Sequence, residues 1–329
     1  MKKLALFSLP LILLLSLSCE RPQSSTKRYS IAVIPKGTTN EFWKSIHAGA
    51  VKAAREYTQQ GVEVDLTWKG PLREDDREQQ IQVVEGFISQ GVNGIVLAPL
   101  DNRALVRPVE EATRAQIPTV IIDSGLESNA ITSFVATDNL KGGMIAADHM
   151  AQLLGGKGKV LLLRYQEGSA STTDRENGFL EQIRKNPGIE VISSDQYAGA
   201  TRDTAKRASE NLLNRYGNDT QGIFCVNESS TAGMLLALQD INRAGKVFFI
   251  GFDASEPFIE AMRNKQLQGI VQQNPFNMGY LGVKTMVDHL QGKPIVKRID
   301  TGVTLITPEN LDDPQSQELL HPPLDQYLK

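Results

Sequence analysis

The stretch from Tyr29 to Tyr57, "YSIAVIPKGTTNEFWKSIHAGAVKAAREY", decides how the chain is read. Its first six residues form an apolar, β-branched run that fits a short strand. Its last part sets Ile46, Ala50, Ala53 and Tyr57 at helical spacing, the stripe of a buried helix face. Between them, "TTNEFW" places two large aromatics, Phe42 and Trp43, where the strand has ended and the helix is starting. By phase both flank the apolar stripe, so core packing is one assignment for them. The other is a position at the carboxyl end of a strand, where open α/β sheets hold their ligands.

The same strand-then-helix unit recurs along the chain. Short apolar runs ("VEVDLTW", "NGIVLAP", "PTVIID", "GKVLLLR", "IEVISS", "QGIFCVN", "VFFIGFD") alternate with longer amphipathic stretches such as "EDDREQQIQVVEGFISQ", "NLKGGMIAADHMAQLLG" and "TRDTAKRASENLLNRY". Strands alternating with helices of this length imply parallel sheets built from βαβ units. The units fall in two groups on either side of "SFVATDNLKGG", so the expected class is α/β, with two doubly wound parallel-sheet lobes in tandem. After "LQGIVQQNP" come one more helix, "FNMGYLGVKTMVDHLQG", and a strand-like "VKRIDTGVTLIT". A lone helix and strand are too small to form a domain, so they dock on the earlier lobes, and the helix is expected to return to the first. The expected division is a first lobe at 29–137 plus 275–302 and a second at 138–274 plus 303–312, joined by a hinge of several chain crossings. Residues 313–329 carry several prolines and little periodicity, and read as a loosely attached tail.

With 329 residues, 40% hydrophobic and 22% charged, the chain has the length and composition of a soluble protein of two domains. A formal net charge of -3 gives no basic footprint for nucleic acid. Residues 1–19, "MKKLALFSLPLILLLSLSC", join Lys2 and Lys3 to an apolar stretch, the anatomy of a secretory signal. The stretch is shorter than the roughly 20 apolar residues of a membrane span. "LSLSC" resembles a bacterial lipoprotein box, with Ser16 where such boxes usually carry Leu. Cleavage before Cys19 would expose a thiol for lipid, which anchors the chain to a membrane in the periplasm or at the cell surface. Residues 20–28 then read as a flexible tether. Cys225, the other of the two cysteines, sits in an apolar run and reads as a small buried hydrophobe; with Cys19 lipidated, no intramolecular disulfide forms.

The strand ends carry the functional signal. Asp123 closes "PTVIID", Asp138 "SFVATD", Arg164 "GKVLLLR", Asn227 "GIFCVN", Asp253 "VFFIGFD", and Gln272 with Gln273 closes "LQGIVQQ". Each has an ordinary alternative. Asp and Asn are favoured caps and turn formers, and Arg175 in "STTDRENGF" fits a solvated helix charge. Their shared position argues for more, since side chains at the carboxyl ends of parallel strands can converge on one ligand between two lobes. Asp, Asn, Arg and Gln present paired donors or acceptors that suit the vicinal hydroxyls of a polyol. Aromatic faces suit a sugar ring. Asn40, Phe42 and Trp43, at the end of the first strand, would look into the same crevice.

In its ordered motifs, "TNEFW", "IDSG", "FVATDNLKGG", "DRENGF", "VNESSTAGMLLALQ", "IGFDAS" and "VQQNP", the chain resembles the type I periplasmic sugar-binding proteins of ATP-binding-cassette importers, the ribose-binding proteins among them. The resemblance runs from about residue 29 to 305. It implies two lobes joined by three crossovers that close on a monosaccharide or related polyol, a membrane permease as partner, and a monomer without cofactor or metal. It assigns hydroxyl contacts to Asn40, Asp123, Asn227 and Asp253, a donor fork to Arg175, wall or stacking roles to Phe42 and Trp43, and a closing contact to Gln273. Two positions depart from the ribose proteins: Ser124 stands where they carry Arg, and Ala200 where they stack an aromatic. Both changes point to a roomier pocket for a hexose, a polyol or a decorated sugar, with Tyr165 and Tyr197 as candidates for a replacement face.

An enzyme is disfavoured. The chain lacks a dinucleotide fingerprint, a P-loop and a nucleophile elbow, and His47, His149, His289 and His321 are scattered without zinc-ligand spacing. A Lac-type repressor would need a helix-turn-helix ahead of the first lobe. The competing role is sensory, with the loaded protein presented to a chemoreceptor or sensor kinase.

Overall fold

The computed structural model describes residues 27–328. The signal segment, Cys19 and residues 20–26 lie outside the described residues. The last two residues of the expected tether, Lys27 and Arg28, begin the first strand. Among the described residues no helix is long and apolar enough to cross a membrane.

The strands are β1 (Lys27–Ile34), β2 (Val62–Trp68), β3 (Gly94–Leu97), β4 (Thr119–Ile122), β5 (Ser133–Ala136), β6 (Lys157–Leu163), β7 (Gly188–Ser193), β8 (Gly222–Cys225), β9 (Phe248–Phe252), β10 (Gly269–Gln273), β11 (Arg298–Asp300) and β12 (Val303–Ile306). The helices are α1 (Glu41–Gln59), α2 (Arg77–Gln90), α3 (Val106–Arg114), α4 (Asn139–Leu153), α5 (Ala170–Ile183), α6 (Arg202–Tyr216), α7 (Glu228–Asp240), α8 (Glu256–Arg263), α9 (Pro275–Leu290), α10 (Pro314–Leu320) and α11 (Leu324–Tyr327). They build two sheets of matching design, β11-β5-β4-β3-β1-β2 and β12-β10-β9-β8-β6-β7. Every pair is parallel except β10 with β12. The expected α/β class of two doubly wound parallel-sheet lobes is what the chain adopts.

Burial explains the strand sequences. Helices cover both faces of a parallel sheet, so its central strands are apolar throughout; Ile95, Val96 and Leu97 of β3 are all fully buried. At the edge, β2 alternates half-buried and exposed residues, which is why "VEVDLTW" alternates. Glycines set how closely the helices meet. A side chain at Gly49 would strike the Phe276 carbonyl, and one at Gly279 would strike the Ile46 carbonyl, so α1 and α9 cross in backbone contact. That crossing fixes α9 on the first lobe, against β3, β4 and β5.

The chain passes between the sheets three times: after β5, after β10, and between β11 and β12. The last passage splits a single strand-like stretch. Gly302 at φ +85° turns the chain, and its N–H donates to Asp300 Oδ1 at 2.9 Å. Beside it, the Thr137 hydroxyl lies 3.4 Å from that of Thr301, and the Asp138 N–H donates to Asp300 Oδ1. Asp138 also caps α4 by accepting from Lys141 N, so its strand-end carboxylate serves the helix.

The C-terminal segment is held more firmly than its sequence suggests. Leu311 is buried in the second lobe's core, where Leu320 packs against it, and Arg263 pairs with Asp312 at 2.9 Å. Beyond Pro322 and Pro323 the chain reaches the first lobe. There Arg55 donates to the carbonyls of Gln326 and Tyr327, and the Tyr327 ring lies 5.7 Å from that of Phe276.

Candidate ligand-binding site

Asp123 and Asp253 end β4 and β9 in the same unusual backbone conformation. Each has φ of +64°, and each donates its N–H to the next strand of its sheet, Asp123 to Val135 O at 3.1 Å and Asp253 to Val271 O at 3.0 Å. Left-handed backbone is uncommon outside glycine and concentrates at functional sites. Here it turns each carboxylate away from the path of its strand, and both residues are buried. Lys36, just past the end of β1, pairs with Asp123 at 2.8 Å, both side chains only 4% exposed. Asp253 has looser company. Gln273 Nε2 donates to it at 2.8 Å, and Arg175 Nη1 stands 3.9 Å away. Burial outweighs these contacts and raises the Asp253 carboxyl to about 6.

Arg175, expected among solvated helix charges as its ordinary alternative, is 2% exposed. Its guanidinium lies 3.8 Å over the Phe252 ring and donates to Asn139 Oδ1 at 2.8 Å and Val226 O at 2.9 Å. Those bonds fix the plane of the fork, while burial lowers its proton affinity. Asn227 does take up the capping role that was its alternative. Its Oδ1 accepts from Ser230 N and Ser230 Oγ at the start of α7, and its Nδ2 donates to Ser229 Oγ at 3.0 Å. Asp253 caps nothing, because Ser255 occupies the cap of α8.

In the first lobe, Trp43 fulfils both assignments given to it. Its ring is part of the core cluster, with Phe42 packed edge-on at 5.0 Å, and its Nε1 donates at 2.8 Å to Glu74 Oε1. The same oxygen accepts from Asn40 Nδ2 at 2.8 Å, and Glu74 Oε2 accepts from the Tyr165 hydroxyl at 2.7 Å. Burial pushes the Glu74 carboxyl up, opposed by these bonds and by Lys36.

All eight side chains singled out in the sequence (Asn40, Phe42, Trp43, Asp123, Arg175, Asn227, Asp253 and Gln273) line one chamber between the lobes. Lys36, Glu74, Tyr165 and Glu228 line it too. Lys36 lies two residues past the end of β1 and Glu74 six past the end of β2, beyond the strand-closing positions from which Asp123 was read. Tyr165 is the one of the two candidate tyrosines that reaches the chamber; Tyr197 instead faces the Arg164 guanidinium at 4.3 Å. Arg164 pairs with Glu176 at 2.7 Å, and it and Asp138 stay outside the chamber lining. The chamber measures about 30 Å³, the share of one water molecule. The lobes meet across its rim: Tyr165 and Gln166 bond Glu74, Lys36 Nζ reaches Ser171 Oγ at 3.3 Å, and Ser171 N donates to Ser124 Oγ at 3.1 Å. Ser124 thus ties the start of α5 to the first lobe. The lining holds two cations, Lys36 and Arg175, against four carboxylates, Glu74, Asp123, Glu228 and Asp253. Such a chamber offers more acceptors than donors, which suits a neutral ligand rich in hydroxyls.

The sequence profile described as the periplasmic binding protein domain matches residues 31–294. This chain belongs to the periplasmic binding protein family. The ribose import binding protein of Bacillus subtilis (strain 168) is 31% identical over 310 residues, spanning 92% of this chain and 97% of that one. Two solved structures share the fold closely. One is an ABC transporter solute binding protein from Agrobacterium vitis with bound D-fucose, 34% identical, with a TM-score of 0.84 over 89% of this binding protein and 100% of the other. The second is a carbohydrate transporter solute binding protein from Agrobacterium radiobacter in complex with D-arabinose, 32% identical, with a TM-score of 0.84 over 90% and 100%. Membership places the chain among extracytoplasmic binding proteins, as its motifs implied.

Proposed function

We propose that this protein captures a monosaccharide or related polyol outside the cytoplasm and delivers it to the permease of an ATP-binding-cassette importer. The observation that carries the reading is convergence: eight side chains far apart in sequence, from both lobes, line one buried chamber. The relatives supply the substrate class, since one of the three compared above is named for ribose and the other two hold D-fucose and D-arabinose. In this reading the lobes divide at 137/138, 274/275 and 302/303. Cys19 carries the lipid anchor, and the protein acts as a monomer that binds without turnover.

The chamber's size sets the sequence of events. A space of about 30 Å³ has no room for a sugar ring, so the ring enters while the lobes are apart and the lobes close over it. Phe42 and Trp43 wall the first lobe's side, and Asn40 and Asp123 accept or share hydroxyls there. Closure brings Arg175, Asn227, Asp253 and Gln273 to the remaining hydroxyls and excludes water, which strengthens each charge-assisted bond. An analogue lacking one hydroxyl leaves a buried polar group unpaired, at about 1–3 kcal/mol. A thermal-shift screen of the purified protein against pentoses, hexoses and polyols tests this, because a ligand bound only by the folded state raises the midpoint. At least one such compound is expected to raise it; a screen in which none does removes the sugar reading.

A further inference from the structure

The chamber has an outlet. A second hollow of about 390 Å³ is lined by Asn40, Glu41 and Glu74 of the first lobe and by Ala200, Arg202 and Ser229 of the second. Asn40 and Glu74 line both spaces. Two further bonds join the walls: the Arg202 guanidinium in the hollow is bonded to Glu228 Oε1, and Ser229 is bonded by Asn227 Nδ2. Glu228 itself is 7% exposed and lines the chamber, and its other oxygen, Oε2, is buried with no hydrogen-bond partner. A buried, unpartnered carboxylate oxygen calls for a donor, because leaving it unmet costs more than most hydrogen bonds gain.

We propose that this hollow is a second sugar subsite: the ligand is a disaccharide or glycoside whose first ring fills the chamber and whose second hydroxylated unit lies in the hollow. At the junction Glu228 Oε2 accepts a ligand hydroxyl. The inference rests on the sugar-binding reading and replaces its single ring with a ring that carries a second unit. Three features choose the class. The hollow is about thirteen times the chamber's volume, room enough for a second unit. Ala200 contributes only a methyl group to the second lobe's wall, which leaves that wall open. Glu41, Glu74 and Asp203 against Arg73 and Arg202 give the hollow an excess of acceptors, which favours hydroxyls over an anionic substituent.

Calorimetry of the purified protein with matched pairs tests it: D-galactose, D-glucose and D-fucose, each against its methyl glycoside and against disaccharides that carry it at the non-reducing end. For the preferred ring, the disaccharide is expected to bind at least tenfold more tightly than the free monosaccharide. Thr39→Trp, at an exposed position that lines the hollow and not the chamber, should remove that advantage while monosaccharide binding is kept. Glu228→Gln should also lose at least half of the advantage, and its unchanged thermal midpoint would show that the fold is intact. Monosaccharides that bind as tightly as their disaccharides, with Thr39→Trp treating both alike, would overturn the subsite and leave the sugar reading standing. Binding of no sugar of either kind would overturn both.

Discussion

Asp123 and Asp253 are the same residue in the same left-handed turn at the end of equivalent strands, one in each lobe, yet their surroundings differ. Asp123 is paired at 2.8 Å with a buried lysine. Asp253 sees its arginine at 3.9 Å and shares it with an asparagine and a backbone carbonyl, and burial lifts its carboxyl to about 6. The first lobe's carboxylate therefore sits in a close ion pair before any ligand arrives. The second lobe's half keeps an acceptor whose charge is only partly countered. A hydroxyl donated to Asp253 is therefore expected to relieve more than one donated to Asp123.

The comparison can be broken first by deleting each carboxylate. Asp123→Ala strands Lys36 as a buried, unpaired cation, and urea unfolding is expected to show a loss of about 3–5 kcal/mol. Asp253→Ala should leave the urea midpoint nearly unchanged, because Arg175 retains Asn139 and Val226 as partners. It should instead weaken ligand binding by about 100-fold or more, roughly 2.7 kcal/mol, read by calorimetry. Equal effects of the two variants on stability would erase the distinction.

The next test uses pH. Asp253 has a folded value of about 6, above the ordinary carboxylate value of 3.8. Its contribution to the stability of the ligand-free protein is then fully present below pH 3.8 and is lost as pH rises through 6. Asp253→Asn should flatten that part of the urea profile between pH 4 and 7. Ligand affinity should run the other way, rising about tenfold from pH 5 to 7 as the carboxylate ionises and becomes the stronger acceptor. The smallest effect is expected of Tyr165→Phe, which removes one bond across the cleft and should cost binding about 1 kcal/mol, a few-fold in Kd.

Much of this was legible in the sequence because it is written locally. Short apolar runs followed by period-3.6 runs gave the lobes, polar residues at strand ends gave Asp123, Asn227, Asp253 and Gln273, and Arg175 came only from the resemblance of "DRENGF". What stayed hidden depends on distant pairing. Lys36 looks like any loop lysine until Asp123 is set beside it, and Glu74 sits in the charged run "REDD", where nothing marks the one carboxylate that turns inward. By periodicity alone "VKRIDTGVTLIT" reads as one strand; the expected boundary at 302/303 already divided it, and Gly302 is the turn that sends its halves to different sheets. The tail was misjudged as loose for a related reason. Arg55 grips it through the carbonyls of Gln326 and Tyr327, and backbone acceptors leave no trace in side-chain patterns.

That grip has a mechanical consequence. Because α10 is moored to one lobe and α11 to the other, the polypeptide spans the gap a fourth time, through two prolines that resist folding up or stretching. The bridge acts as a leash set apart from the pivots: it limits how wide the jaws can swing and draws them back along one arc. A clam with such a ligament opens by a fixed amount, so the geometry shown to a docking membrane complex differs between its empty and loaded forms in a reproducible way.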